Sequence, residues 1–356
     1  MAGSFAPRIL NVSAGSIGMR HMRNARELIP DARIGLWRLT DRSVAIEEPA
    51  VWDETFTTLK QAMDFSPDLV IVSCPANRHL EIALPFAEKS LPIFLEKPLC
   101  RDDQDYNNLL GLVQQSNAPV MIGYVLRFLP SLLRVKEILN SGELGEIISV
   151  DIQVGQFLPD WRPTQDYRKT VSASKELGGG VLLELSHEID YALWLFGLPN
   201  KMSCSTGRSD MLDIDVEDQA VLTFVYDAFN QDSGSQIRIE MDFLQKVAKR
   251  QLIISGSKGN VVADLIKGEV LLASGKHQEV RKWQTCSADM GNHIYLKQFD
   301  CFFAEIFSSY VSKYDQSFQN FGYATISEAK RVIDVIRQAR RIDGLASAMP
   351  LENVDG

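Results

Sequence analysis

Over its first 124 residues the chain alternates short apolar runs with stretches of helical periodicity, and this alternation constrains the fold more than any single motif. Residues 9–12, 32–37, 69–73, 91–95 and 120–123 read as strands, and residues 17–28, 79–89 and 102–115 as helices. Strands that are apolar on both faces and separated by helices build a parallel sheet covered on both sides. In such open sheets ligands bind at the carboxyl ends of the strands. The chemistry-bearing residues of this half stand at those ends.

From residue 125 the pattern changes. An amphipathic helix at 132–139 stops at Ser141-Gly142, and strand-like runs follow at 146–157, 219–226, 236–243, 251–255, 261–266 and 270–273. Several alternate apolar and polar residues, as in Gln236-Ile-Arg-Ile-Glu-Met241, which marks an antiparallel sheet with one wet face. Helical patterns interrupt at 181–196 and close the chain at 293–310 and 327–341. The expected architecture is an α/β Rossmann domain over residues 1–124. An α+β substrate and oligomerisation domain with a large, mostly antiparallel open sheet follows over residues 125–356. The C-terminal helix is free to pack back on the first domain.

The first strand feeds Ser13-Ala-Gly15-Ser16-Ile17-Gly18 and then a helix. A strand, a glycine-bearing turn and a helix N-terminus make a phosphate cradle for a dinucleotide. Ser13 stands where the G-x-G-x-x-G pattern has its first glycine. Gly15 can bring the backbone close to a pyrophosphate, and Gly18 can let the helix pack tightly. Arg38, with Thr40, Asp41 and Arg42 close behind, occupies the position that usually carries an acid for a ribose hydroxyl. A guanidinium there suits a 2′-phosphate, which leans the cofactor from NAD toward NADP; the other reading is a solvated loop residue. Glu96-Lys97-Pro98 ends the run 91–95 and sets a lysine at the ligand edge of the sheet. Further on, Gly178–Gly180 precedes Glu184-Leu-Ser-His187-Glu-Ile-Asp190. On one continuous helix His187 is a turn from both Glu184 and Asp190, and a carboxylate beside an imidazole tunes it for proton transfer. By itself His-x-x-Asp also occurs as a helix-surface pair.

Taken together, these marks resemble the glucose-fructose oxidoreductase/inositol dehydrogenase (Gfo/Idh/MocA) family over nearly the whole chain. The matching stretches are Gly15–Gly18, Cys74-Pro75-Ala-Asn77-Arg-His79, Glu96–Pro98, Gly123-Tyr-Val-Leu-Arg127-Phe, Gly142–Gly145, Gly178–Gly180 with His187 and Asp190, and Gly256–Gly259. The resemblance implies an NAD(P)-dependent oxidoreductase acting on a sugar, cyclitol or related polyol, with Lys97 and His187 flanking the reacting carbon. It also implies a cis Lys97–Pro98 bond, a cofactor passing Cys74, Pro75, Asn77, His79 and Glu96, with the first turn of the next helix as the equal alternative for His79, and subunits paired through the open sheet into a homodimer or homotetramer. Glu184 stands where many members carry aspartate. Redox-neutral glycosidases that use NAD transiently, and non-catalytic dinucleotide-binding sensors, are the alternatives on the same scaffold.

Composition bounds the partners. A net charge of −9 argues against nucleic acid or an anionic membrane. The N-terminus has no apolar segment of signal-peptide character, and no run is long enough to span a membrane. Five cysteines at 74, 100, 204, 286 and 301 show no C-x-x-C spacing, so no zinc site or disulfide framework is read, no metal is expected, and a cytoplasmic protein is. Against this acidic background Lys97, Arg127, Arg162, Arg168 and Lys169 fall on segments expected to face one cleft, with Trp161 and Tyr167 among them. Gathered cations attract anions, which points to a sugar acid or nucleotide-sugar as substrate.

Overall fold

The computed structural model describes residues 6–40, 51–101, 103–115, 117–227, 235–275, 279–285, 290–314, 322–344 and 348–351. Asp41, Arg42 and Cys286 lie outside these residues. The chain divides into two units, Met1–Phe128 with Gly291–Lys330, and Leu129–Met290 with Arg331–Gly356.

The first unit runs β1 (Arg8–Val12), α1 (Ser16–Leu28), β2 (Arg33–Trp37), β3 (Glu54–Phe56), α2 (Leu59–Asp64), β4 (Leu69–Val72), α3 (His79–Ala87), β5 (Ile93–Leu95), α4 (Asp103–Gln115) and β6 (Val120–Ile122). β4, β5 and β6 are buried along their whole length, as uninterrupted apolar strands must be when helices cover both faces. β3 and α2 escaped the pattern, because Glu54-Thr-Phe56 is three residues, none of them buried, that become a strand only by pairing with β2.

The second unit continues with α5 (Pro130–Ser141), β7 (Ile147–Gly155), α6 (Val181–Glu184), α7 (Ser186–Phe196), β8 (Lys201–Gly207), β9 (Gln219–Tyr226), β10 (Ser235–Asp242), β11 (Lys249–Gly256), β12 (Gly259–Asp264), β13 (Glu269–Ser274) and β14 (Glu279–Gln284). Proline at its first turn starts α5, and Gly142 at φ +73° ends it. The chain then gives α8 (Met290–Ile306) and β15 (Ala324–Thr325) back to the first unit, followed by α9 (Ile326–Ile342) and β16 (Met349–Pro350).

The first unit holds one seven-stranded sheet in the order β15-β6-β5-β4-β1-β2-β3, parallel except for β15 at its edge. Aromatic packing fastens α8 to it: Phe299 stacks on Phe94 of β5 with ring centres 4.7 Å apart. The second unit is built on a nine-stranded sheet in the order β14-β13-β12-β11-β7-β10-β9-β8-β16. Every pair in it is antiparallel except β7 with β10. This is the Rossmann domain plus mostly antiparallel open sheet that the sequence pattern implies. Among the described residues no helix is long and apolar enough to cross a membrane.

Candidate functional site

In the first unit, candidate residues lie along the carboxyl ends of β1, β2, β4 and β5. These ends are laced to one another by main-chain bonds. Ser13 N–H donates to Trp37 O at 2.9 Å, Ser73 N–H to Val12 O at 3.3 Å, and Glu96 N–H to Val72 O at 3.0 Å. Ser13 takes φ +80°, so it holds the left-handed backbone that a glycine would take without strain. Two side chains invisible to motif reading support that conformation. Buried Asn11 donates from Nδ2 to Ser13 O at 2.6 Å, and Ser73 Oγ donates to Val12 O at 2.8 Å.

A cofactor fit can be judged from the turn itself. A Cβ added at Gly15 would meet nothing within 4 Å, so its bareness serves nothing in the chain's own packing. A Cβ at Gly18 would stand 2.5 Å from Ser13 O and 2.6 Å from Ser73 Oγ, so this glycine is needed to seat α1 on the sheet. Gly15 caps α1 without a side-chain hydrogen bond, the first turn carries no acid, and Gly15 and Ser16 are exposed. An uncapped helix start with bare backbone beside it is what a pyrophosphate requires. Ile17 is half-buried behind it. Arg38 is half-buried directly after β2, its N–H bonded to Phe56 O at 2.8 Å.

At the end of β4, Pro75 is exposed and Asn77 half-buried. Burial pushes the Cys74 thiol up to about 12, which makes it an inert neutral group. The expectation that His79 faces a cofactor needs correction. Its ring is fully buried, with Nε2 2.7 Å from Cys74 O and Nδ1 3.0 Å from Pro98 O. Burial lowers its pKa, outweighing the two carbonyls that would favour the cation. His79 is therefore a clamp between the loops that follow β4 and β5. Lys97 is half-buried at the end of β5 and its bond to Pro98 is cis. Glu96 is buried; burial opposes its charge, but His21 and Lys97 outweigh that and hold the carboxyl below its usual range.

Arg127 is likewise corrected. Its guanidinium is buried within the first unit, 3.0 Å from Glu328 Oε1 at the start of α9 and 3.4 Å from Tyr323 O. A desolvated guanidinium needs such partners, and they turn it inward.

The second unit carries its own candidate residues, on the loop after β7 and on α6 and α7. A cleft of about 110 Å³ is lined by Leu158, Trp161, Arg162 and Tyr167, with Thr170, Ser172 and Glu184 completing it. Trp161 is set edge-on against Phe243 with ring centres 5.2 Å apart, and its Nε1 donates to Gln156 O at 3.2 Å. Tyr167 Oη accepts from Asp213 N–H at 3.2 Å, and Glu184 Oε2 accepts from Ser172 Oγ at 2.9 Å. Four of the expected residues thus meet: Trp161, Arg162, Tyr167 and Glu184. Arg168 is diverted, because Asp166 takes its guanidinium through Nε at 2.8 Å and Nη2 at 3.0 Å.

The glycine run explains how the loop reaches the helices. A Cβ at Gly179 would stand 2.3 Å from Val171 O, and Gly180 holds φ +98° beside Glu217. The continuous helix expected over 181–196 is broken at Leu185, with φ −99° and ψ 26°. Glu184 therefore ends α6, while half-buried His187 and buried Asp190 share one face of α7, and His187 is not among the residues lining the cleft. Among the described residues no group of three or more His, Cys, Asp or Glu is placed to hold a metal ion.

A Rossmann sheet with an uncapped helix start at its ligand edge, joined in one chain to a large open sheet, defines a class of two-domain dinucleotide-binding proteins. Residues 8–124 match the description "Oxidoreductase family, NAD-binding Rossmann fold", and residues 132–262 match "GFO/IDH/MocA C-terminal domain". The chain belongs to the Gfo/Idh/MocA family. Among curated proteins, an inositol 2-dehydrogenase of Rhizobium meliloti is 27% identical over 212 residues, 59% of this chain and 60% of that protein. The chain spans about half the length of the curated relatives it matches first. Two solved structures share the fold. The WlbA dehydrogenase of Bordetella pertussis, in complex with NADH and UDP-GlcNAcA, is 16% identical with a TM-score of 0.74 over 98% of this chain and 100% of that one. A super-repressor mutant of Gal80p from Saccharomyces cerevisiae is 16% identical with a TM-score of 0.80 over 99% of both chains.

Proposed function

We propose that the protein is an NAD(P)-dependent oxidoreductase that exchanges hydride with a carbinol carbon of a sugar, sugar acid or nucleotide-sugar. One observation carries this reading: a bare, uncapped helix start at Gly15 and a half-buried lysine at the end of β5 stand on the ligand edge of one parallel sheet. Support comes from relatives and neighbours that are dehydrogenases of inositol or bind NADH with a UDP-sugar.

Bound at the Gly15 turn, the nicotinamide would supply hydride chemistry. The chain's own share is position and charge. Lys97 donates to the reacting oxygen and stabilises its developing charge. His187 takes or gives the hydroxyl proton, with Asp190, three residues on along α7, supporting the ring. Glu184 and Arg162 hold substrate hydroxyls or an anionic group against the Trp161 and Tyr167 rings. With Arg127 and Arg168 engaged elsewhere, the case for an anionic sugar rests on Arg162, Lys169 and Lys97. We place the protein in the cytoplasm as a homodimer or homotetramer joined through the open sheet.

The test is a panel of neutral and anionic sugars with NAD+ and NADP+, read as stoichiometric formation of the reduced cofactor. Lys97→Ala should lower kcat by a factor on the order of 10², and His187→Ala by roughly 10²–10⁴, with cofactor binding retained. Glycosidic cleavage with no net reduced cofactor would point to the redox-neutral alternative. Tight NADH binding without turnover of any sugar would instead make the protein a dinucleotide sensor.

A further inference from the structure

Neither hydride nor proton transfer, as assigned above, uses His21, yet the fold spends a fully buried imidazole on it. His21 lies in the second turn of α1, and its Nε2 stands 2.6 Å from Glu96 Oε1. The other oxygen of that carboxylate, Oε2, accepts the main-chain N–H of Lys97 at 3.2 Å. Gly123, just past β6, makes room for the group, since a Cβ there would stand 2.8 Å from Glu96 Oε2. The imidazole is held edge-on by Phe94 of β5 and by Phe299 of α8, each with ring centres 5.0 Å away. Flanked in this way, it cannot swing without giving up both ring contacts and its hydrogen bond.

One buried, charge-assisted bond therefore ties the helix that starts at Gly15 to the main chain of Lys97. We propose that His21 is a positioning residue, which through Glu96 keeps the Lys97 turn in register with α1, so that a dinucleotide seated at the Gly15 turn and the Lys97 ammonium share one frame. This rests on the reading that the Gly15 turn takes a nicotinamide dinucleotide. A purely space-filling His21 would be replaceable by phenylalanine, which keeps the aromatic contacts and loses the donor. Glutamine keeps a donor near the position of Nε2 and loses the ring.

The experiment measures how far saturating NADH protects Lys97 from acetylation, read by mass spectrometry of the Lys97 peptide in the full-length protein. NADH saturation of every variant is checked by fluorescence. In the unaltered protein NADH should slow Lys97 acetylation at least tenfold. In His21→Phe, still saturated with NADH, the protection should fall to threefold or less, and in His21→Gln it should return to within twofold of the parent. Should His21→Phe fail to fold, Glu96→Gln, which keeps the shape but removes the charge, should show the same loss in part. Full protection in His21→Phe, or in Glu96→Gln where only that variant folds, overturns the positioning role and leaves the dinucleotide reading intact. If NADH and NADPH fail to bind or to protect Lys97 in the unaltered protein, the dinucleotide reading falls first, and the role of His21 falls with it.

Discussion

Gly15 and Gly18 stand three residues apart in one turn, yet the structure asks different things of them. At Gly18 the missing Cβ is required by the chain itself, because Ser13 O and Ser73 Oγ would lie 2.5 and 2.6 Å from it. At Gly15 nothing in the chain competes for the space. Gly18→Ala should thus cost roughly 1–3 kcal/mol of stability, as overpacking does, visible in thermal or urea unfolding without any ligand. Gly15→Ala should cost no more than about 1 kcal/mol, the scale of a cap change. It should nonetheless weaken NADH binding at least tenfold, about 1.4 kcal/mol. Equal behaviour of the two variants in both measurements would show that Gly15 keeps no space for a ligand. Arg38 is tested at the same scale. If its guanidinium meets a 2′-phosphate, Arg38→Ala should weaken NADPH binding by about 1.5–3 kcal/mol, a charge-assisted contact, and leave NADH binding unchanged. Equal losses for both cofactors, or none for either, would remove the lean toward NADP.

At the scale of elements, the pattern of the sequence was most legible where one physical signal dominated. The strands β1, β2, β4, β5 and β6 announce themselves because burial on both faces keeps them mostly apolar, with Asn11 the one polar side chain buried within them. β14 does not, because Glu279-Val-Arg-Lys-Trp-Gln284 is an edge strand exposed along nearly its whole length and specified by its partner β13. The break between α6 and α7 was likewise hidden, since Val181-Leu-Leu-Glu-Leu-Ser-His187 has unbroken helical periodicity. What interrupts it is tertiary: the glycine run packs against Val171, Ser172 and Glu217, and Ser172 takes the Glu184 carboxylate. For the site, residue type and loop order single out Trp161, Arg162, Tyr167 and Glu184, which line one cleft. They could not show that His79 and Arg127 point into their own unit, because burial and pairing partners far along the chain decide that. The Arg127–Glu328 pair carries its own prediction. Burial opposes the charge of Glu328, but Arg127 and Thr325 outweigh it and hold the carboxyl below the usual glutamate range. A depressed folded-state pKa contributes stability that is present above the unfolded value and is lost as pH falls through the folded one. Glu328→Gln should thus destabilise the protein by roughly 2–4 kcal/mol near neutral pH, the cost of stranding a buried guanidinium. The gap between variant and parent should close as pH drops below about 4.5. A gap that stays constant from neutral pH to acid would mean that the ion pair contributes no pH-dependent stability.

At the scale of the whole molecule, the nine-stranded sheet poses the remaining question, because helix α5 packs on β12 and β13 while Val262 of β12 stands exposed. Register places Ile253 of β11, Val262 of β12 and Leu271 of β13 side by side in one row, which continues through Asp151 of β7 to Arg238 of β10. Ile253 and Leu271 are only half-buried and Val262 is 38% exposed, so three neighbouring strands present an apolar strip to their surroundings. Along these strands the opposite positions, Leu252, Ile254, Val261, Ala263, Val270 and Leu272, are fully buried, so the strip belongs to a second, outer face and not to the unit's own core. An apolar strip framed by charge on a sheet of this size suits a second copy of the same surface, since a two-fold axis lets each row meet its equivalent. If copies pair there, Val262→Lys sets like charges against each other across the axis, while the inward-facing core is left untouched. Sedimentation equilibrium should then show the parent as a dimer or tetramer and Val262→Lys shifted toward smaller species, by tenfold or more in the dissociation constant, about 1.4 kcal/mol. Far-ultraviolet circular dichroism and thermal stability of the separated subunit should stay near the parent's. A parent that sediments as a monomer at every concentration, or a Val262→Lys variant that assembles as tightly as the parent, would remove the open sheet as the joining surface.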